Sequence, residues 1–222
     1  MIHHLIFGRK AIVKNEGLIL DLPFQNSFVD ATGKNTMVAG GASNLPTFTL
    51  EGGEYAATFN GSRSLKTNAN FLINSDKVSI SFWIKTTQTT TGILAELSSN
   101  FNNNNAFLAT VTNKAEIGDH IFSYNAGSSA ININDNNWHH VVLMIDRSLG
   151  TSQNKIYVDG ILSYVQNTSY QSDLNGNWGL FPLFIGQRDG SLYGFNGQLK
   201  FLKIFNYPLS TTEITNLYNK TM

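Results

Sequence analysis

The chain has 222 residues, 41% of them hydrophobic, with 15 basic and 15 acidic side chains and no cysteine. That length and apolar content allow a substantial core and argue against disorder. The balanced charge supplies no field for nucleic acid or an anionic membrane, and it leaves little repulsion between copies. The lack of cysteine excludes disulfides, Cys-zinc sites and thiol catalysis.

Residues 2–7 and 11–13 are short apolar segments separated by Gly8-Arg9-Lys10. With no basic leader and two histidines interrupting the apolar run, they are not expected to be a signal peptide, and no run approaches a membrane span. If Met1 is the natural start, the protein is expected to be made in the cytosol and to stay there or leave as part of a particle. Residues 1–17 are therefore expected to be an extra edge strand or an arm that docks on a neighbouring subunit. His3 and His4 are adjacent, so on a strand they point to opposite faces and do not chelate one ion.

Residues 18–28 are expected to be a first core strand, with a turn at 30–35 and a loop over 36–46. Residues 48–50 and 55–59 frame Glu51-Gly52-Gly53-Glu54, which is expected to be a turn. Val78, Ile80, Phe82 and Ile84 alternate with Ser79, Ser81, Trp83 and Lys85, which predicts a strand with the first set inward. Further strands are expected at 93–97, 106–112 and 120–124, and an exposed Asn-rich loop at 100–105. The run 138–145 is apolar on both alternating faces: Trp138, His140, Val142 and Met144 on one, His139, Val141, Leu143 and Ile145 on the other. Such a strand is usually covered on both sides. A polar loop over 147–154 precedes a strand at 156–158, and Asp159-Gly160 turns the chain back into 161–165.

Residues 169–179 are polar and rich in Asn and Gly. A strand is expected over 180–186 and a closing strand over 195–206, with Leu199, Phe201 and Phe205 alternating with Lys200 and Ile204. Ser210 and Glu213 have capping-box spacing, and Leu209 and Ile214 have staple spacing. A short helix is thus expected from Thr211 to about Asn219, with Ile214, Leu217 and Tyr218 on one face.

Several of these segments resemble one family in the right order. They are Phe59-Asn60-Gly61, Ser81-Phe82-Trp83-Ile84, Trp138-His139-His140-Val141, Tyr157-Val158-Asp159-Gly160, Leu183-Phe184-Ile185-Gly186, and the ending Asn206, Leu209, Ser210, Glu213, Ile214, Leu217, Tyr218. Over about residues 18–218 the chain resembles the laminin-G-like, concanavalin A-like jelly-roll family. The resemblance implies an all-β fold, a two-sheet antiparallel jelly-roll sandwich with one short C-terminal helix. The domain would run from 18 to 222, preceded by the segment 1–17. It does not specify a function, because this sandwich hosts lectins, glycanases, adhesion modules and virion proteins.

Glycoside hydrolysis needs two carboxylates about 5–9 Å apart across the scissile bond. The sandwich glucanases resembled here carry them on alternate residues of one strand, in a Glu-x-Asp-x-Glu pattern that this chain lacks. Glu116 and Asp119 are three apart, wrong for one strand face. His139 and His140 are expected to be structural residues of a packed strand. The chain is expected to be non-enzymatic and to use no cofactor.

The resemblance also implies a calcium position built from residues matching Asp30, Asn60 and Lys200. A lysine there removes a ligand and adds repulsion, so no metal is expected. Either the Lys200 ammonium takes the ion's place and bonds Asp30, or it points to solvent. For carbohydrate, Trp178, Tyr170 and Tyr193 are candidate aromatic platforms, with Asn175, Arg188 and Asp189 as polar partners. Two functions remain open. One is a bacteriophage virion decoration or fibre component on the particle surface, attached to identical subunits or other virion proteins through residues 1–17. The other is a lectin or adhesion module of a secreted or cell-surface protein that binds glycans.

Overall fold

The computed structural model describes residues 17–41, 44–98, 106–119, 125–151, 153–167, 178–179, 181–189 and 191–219. In chain order the strands begin with β1 (Leu18–Leu22), β2 (Met37–Ala39), β3 (Thr47–Glu51), β4 (Glu54–Asn60) and β5 (Leu65–Thr67). They continue with β6 (Lys77–Thr86), β7 (Gly92–Glu96), β8 (Phe107–Val111), β9 (Lys114–Asp119) and β10 (Asn125–Asn132). The last are β11 (His139–Asp146), β12 (Asn154–Val158), β13 (Ile161–Val165), β14 (Phe184–Ile185) and β15 (Asn196–Phe205), followed by helix α1 (Thr211–Asn219).

The strands form two antiparallel sheets. The first has the order β13-β12-β11-β6-β15-β4-β3, with β1 also paired to β15; the second has the order β10-β9-β8-β7-β14-β5-β2. Between them lies the main core. Val78, Ile80, Phe82 and Ile84 of β6 and Val141, Leu143 and Ile145 of β11 meet Ala95, Phe107, Ala109, Ile117 and Ile185 of the second sheet. The inward set of β6 is the one its alternation predicts.

β11 is covered on both sides. Its other face contributes Val142 and Met144 to a second cluster with Tyr157, Phe205, Leu209 and Ile214. α1 caps that cluster from outside, which explains why a strand in a two-sheet sandwich reads as apolar throughout. The turn after β12 is the tight one expected, with φ of 51° at Asp159 and 78° at Gly160.

Two local expectations are corrected, and one strand is added. The segment read as a loop from 36 to 46 contains β2, a short edge strand held by β5. Lys114–Asp119 is a strand, and Glu116 and Asp119 fall on its opposite faces, as their odd spacing requires. In β15 the register against β6 shifts between Lys200 and Lys203, and Phe201 sits at φ 51°. This bulge resets the alternation, so Leu202 and Ile204 join Leu199 in the core instead of Phe201 and Phe205. The expectations for 1–16, 99–105, 120–124 and 168–177 lie outside the described residues, including the arm or edge strand assigned to the N-terminus.

Candidate functional site

Beside β7 the chain makes a narrow hairpin that leaves β14 and returns to β15. Arg188 N–H donates to Leu192 C=O at 2.8 Å, and Leu192 N–H donates back to Arg188 C=O at 3.1 Å. The hairpin is fixed to the sheet where Ile93 N–H donates to Tyr193 C=O at 2.8 Å. Gly194 follows because nothing larger fits: a Cβ there would lie 1.8 Å from the Gly61 carbonyl oxygen. Tyr193 itself adopts φ 52°, an unfavourable conformation for an aromatic residue, and is 50% exposed.

Arg188 crosses Tyr193 with its guanidinium carbon 4.9 Å from the ring centroid. Its Nε–H is shared by both carboxylate oxygens of Glu96, each at 3.0 Å. Glu96 is completely buried, and Ser98 Oγ–H donates to its Oε1 at 2.6 Å. Burial raises the Glu96 pKa, and nearby Asp189 adds to the rise, against the lowering effect of the Arg188 and Ser98 hydrogen bonds. The terminal nitrogens of Arg188 have no partner among the described residues. The result is a donor fork held by an ion pair on one edge and by an aromatic ring on one face, with its far edge unengaged.

Glu96 faces away from the core, since Ala95 and Leu97 on either side of it are core residues. Phe184 pairs with both Glu96 and Lys66, so the three form a row across β5, β14 and β7 on the outer side of the second sheet. Lys66 Nζ lies 5.8 Å from the Phe184 ring centroid.

Residues 33–215 match the profile of the concanavalin A-like lectin/glucanases superfamily. The chain belongs to this superfamily. Comparison with curated proteins returned no match. Among solved structures, domain 4 of AbnA is similar in fold. It comes from a GH43 extracellular arabinanase of Geobacillus stearothermophilus and was solved in complex with arabinotriose (TM-score 0.70, 18% identity, 91% of this chain and 98% of that one). A botulinum neurotoxin type C structure, from work describing cell entry as dependent upon interaction with two ganglioside molecules, has TM-score 0.70 and 17% identity. The binding domain of Paraclostridial Mosquitocidal Protein 1 has TM-score 0.69 and 13% identity. The chain covers about half of each of these two toxin structures, 52% and 53% respectively.

Within this superfamily fold, Tyr193 and Asp189 lie together on the hairpin with Arg188. Tyr170 and Asn175 lie outside the described residues. Trp178 does not serve as a platform: it is 1% exposed, with the Arg147 guanidinium 4.1 Å above its ring and the Phe107 ring edge-on at 6.2 Å. A ring so enclosed has no face to offer a sugar. Glu96 was not identified from the sequence. Its signal was a lone carboxylate in the apolar run Gly92–Glu96, which must find a cationic partner to be buried.

The three residues matching the implied calcium position each have other partners. Asp30 accepts hydrogen bonds from the backbone of Asp21, Thr32 and Asn35 and from the Thr32 and Asn35 side chains, at 2.7–3.0 Å. Burial pushes the Asp30 pKa up, but these hydrogen bonds together hold it below the ordinary carboxylate value. Asn60 accepts from Ser62 within its own turn. Lys200 neither bonds Asp30 nor reaches solvent. It is 7% exposed, donates to Glu54 at 3.3 Å, and lies 4.4 Å from the Trp138 ring centroid. Lys203, three residues on, pairs with Asp21 at 2.6 Å. No three His, Asp or Glu among the described residues form a metal-binding group.

His139 and His140 each have a structural partner. His139 bridges Asp159 at 2.8 Å and Asp135 at 3.1 Å, while Asp159 also accepts from the His140 backbone. His140 is buried, with Nε2 3.0 Å from Ser81 Oγ.

Proposed function

We propose that this chain is a non-catalytic carbohydrate-binding module, with the 188–193 hairpin as its sugar-contacting face. One observation carries the reading: Arg188, pinned by buried Glu96 and stacked on half-exposed Tyr193, presents an unengaged edge of N–H donors. Sugars are recognised by such pairs of aromatic surface and fixed polar groups. Glu96 is held by Arg188 and Ser98, which suits an anchoring role better than acid–base chemistry. The arabinotriose and ganglioside named with the similar folds support glycan as the partner class. A surface or extracellular setting follows from that partner, and no described helix is long and apolar enough to cross a membrane. A virion component docked through residues 1–17 is the alternative, and nothing among the described residues favours it.

The test is a glycan array probed with the wild-type chain, Tyr193→Ala and Arg188→Ala, each checked for folding by circular dichroism. The expected result is binding by wild type and its loss in both folded variants. Retained binding in both would remove the hairpin from the site, and no binding by wild type would remove the function.

A further inference from the structure

We infer that the Arg188 site selects neutral sugars over acidic ones; this rests on the carbohydrate-binding reading above. An arginine with an unengaged edge is ordinarily a carboxylate or phosphate binder. Here its charge already has an owner. Glu96 takes the Nε edge in an ion pair whose carboxylate is fully buried and whose guanidinium is only partly exposed, so solvent screens it poorly. Asp189, next in the chain and exposed, adds a second negative charge whose influence reaches Glu96. Together Arg188, Glu96 and Asp189 sum to a negative charge before any ligand arrives. Lys66 is the neighbouring cation of the row, but it stands on β5, across β14 from Glu96, and its ammonium lies over the intervening Phe184 ring.

An incoming carboxylate would add an anion beside one that is buried and cannot move away. A hydroxyl oxygen accepts the same Arg188 N–H donors without that repulsion. The geometry of the fork therefore suits the oxygens of vicinal hydroxyls, while the charge around it disfavours uronates and sialic acids. Selection of this kind arises from the repulsive element as much as from the attractive one.

Matched pairs of oligosaccharides, one neutral and one carrying a uronate or sialic acid in the same position, test this by isothermal titration. Wild type is expected to bind the neutral member about tenfold tighter. Glu96→Gln keeps the shape and a hydrogen-bond acceptor but removes the buried anion, and it should shift the ratio toward the acidic member by about tenfold. Asp189→Asn, at an exposed position that does not threaten folding, should shift it the same way by a smaller factor. Tighter binding of the acidic member by wild type, or a ratio unmoved in both variants, overturns the selectivity and leaves sugar binding standing. Absence of binding to either member overturns both.

Discussion

The guanidinium of Arg147 lies 4.1 Å from the centroid of the Trp178 ring and donates Nε–H to Asp119 at 2.8 Å. Arg147 follows β11 in the first sheet, Asp119 ends β9 in the second, and Trp178 packs against Phe107 in the core. One arginine thus links both sheets with Trp178. Trp178→Ala should cost about 3–5 kcal/mol, as expected for emptying a large buried site. A urea titration by fluorescence or circular dichroism measures it. A loss under about 1 kcal/mol would mean that Trp178 is not packed as described.

This tryptophan also marks the boundary of what the sequence reveals. The strands with strict alternation, such as Val78 to Lys85, and the Ser210–Glu213 cap are local patterns, so they read directly. Both-face burial of β11 was legible because no residue of Val141 to Ile145 is polar. Trp178 was not legible: a loop composition rich in Asn and Gly looks exposed, and only the tertiary position of Arg147 shows otherwise. The bulge at Phe201 breaks the period within one strand, and the partner choice of Lys200 depends on a strand 146 residues earlier. The hairpin site was half visible, since Tyr193, Arg188 and Asp189 are neighbours in sequence, whereas Glu96 comes from another strand 92 residues away.

His139 and His140 are adjacent yet should titrate in opposite directions. Burial works against a charge on His139, but its hydrogen bonds to Asp159 and Asp135 outweigh that and raise its pKa. Burial lowers His140 to about 4. The stability supplied by His139 is fully present below the ordinary value of 6.5 and is lost as pH rises through its folded value. For His140 the unfolded chain binds the proton first, so stability is present above 6.5 and is lost as pH falls toward about 4. Together they favour a maximum near the ordinary histidine pKa. Imidazole NMR titration should place His139 above 6.5 and His140 near 4; the reverse order refutes the assignment. Asp159→Asn, which keeps the turn conformation and removes the charge, should lower the His139 value.

The nine-residue helix α1 is too short to be stable alone, so its cap and its docking must hold it. Ser210 N–H donates to Glu213 Oε2 at 2.8 Å, and Glu213 N–H donates to Ser210 Oγ at 3.3 Å. Leu209 and Ile214 close the staple over Val142 and Met144. Ser210→Ala should therefore lower stability by about 1 kcal/mol. The readout is the denaturant midpoint, with Ser210→Asp expected to restore most of the loss. Equal midpoints for wild type and Ser210→Ala would show that docking alone holds the helix.

Gly194 sets how closely the binding hairpin can lie against the turn at Gly61. A methyl group there would meet the Gly61 carbonyl oxygen at 1.8 Å, its carbon at 2.5 Å and its Cα at 2.8 Å, all backbone atoms that cannot swing aside. Gly194→Ala must move one chain away from the other, at a cost of about 1–3 kcal/mol typical of overpacking. Because Tyr193 is the preceding residue and Arg188 is stacked on it, the displacement should also weaken glycan binding in the fraction that folds. Gly150→Ala is the control: nothing lies within 4 Å of the added atom, and its effect should stay within about 0.5 kcal/mol. Stability and affinity measured on the two variants separate a general intolerance of alanine from the specific closeness at Gly194. If Gly194→Ala matches the control in both, the hairpin is not held against Gly61, and the position of Tyr193 needs another cause.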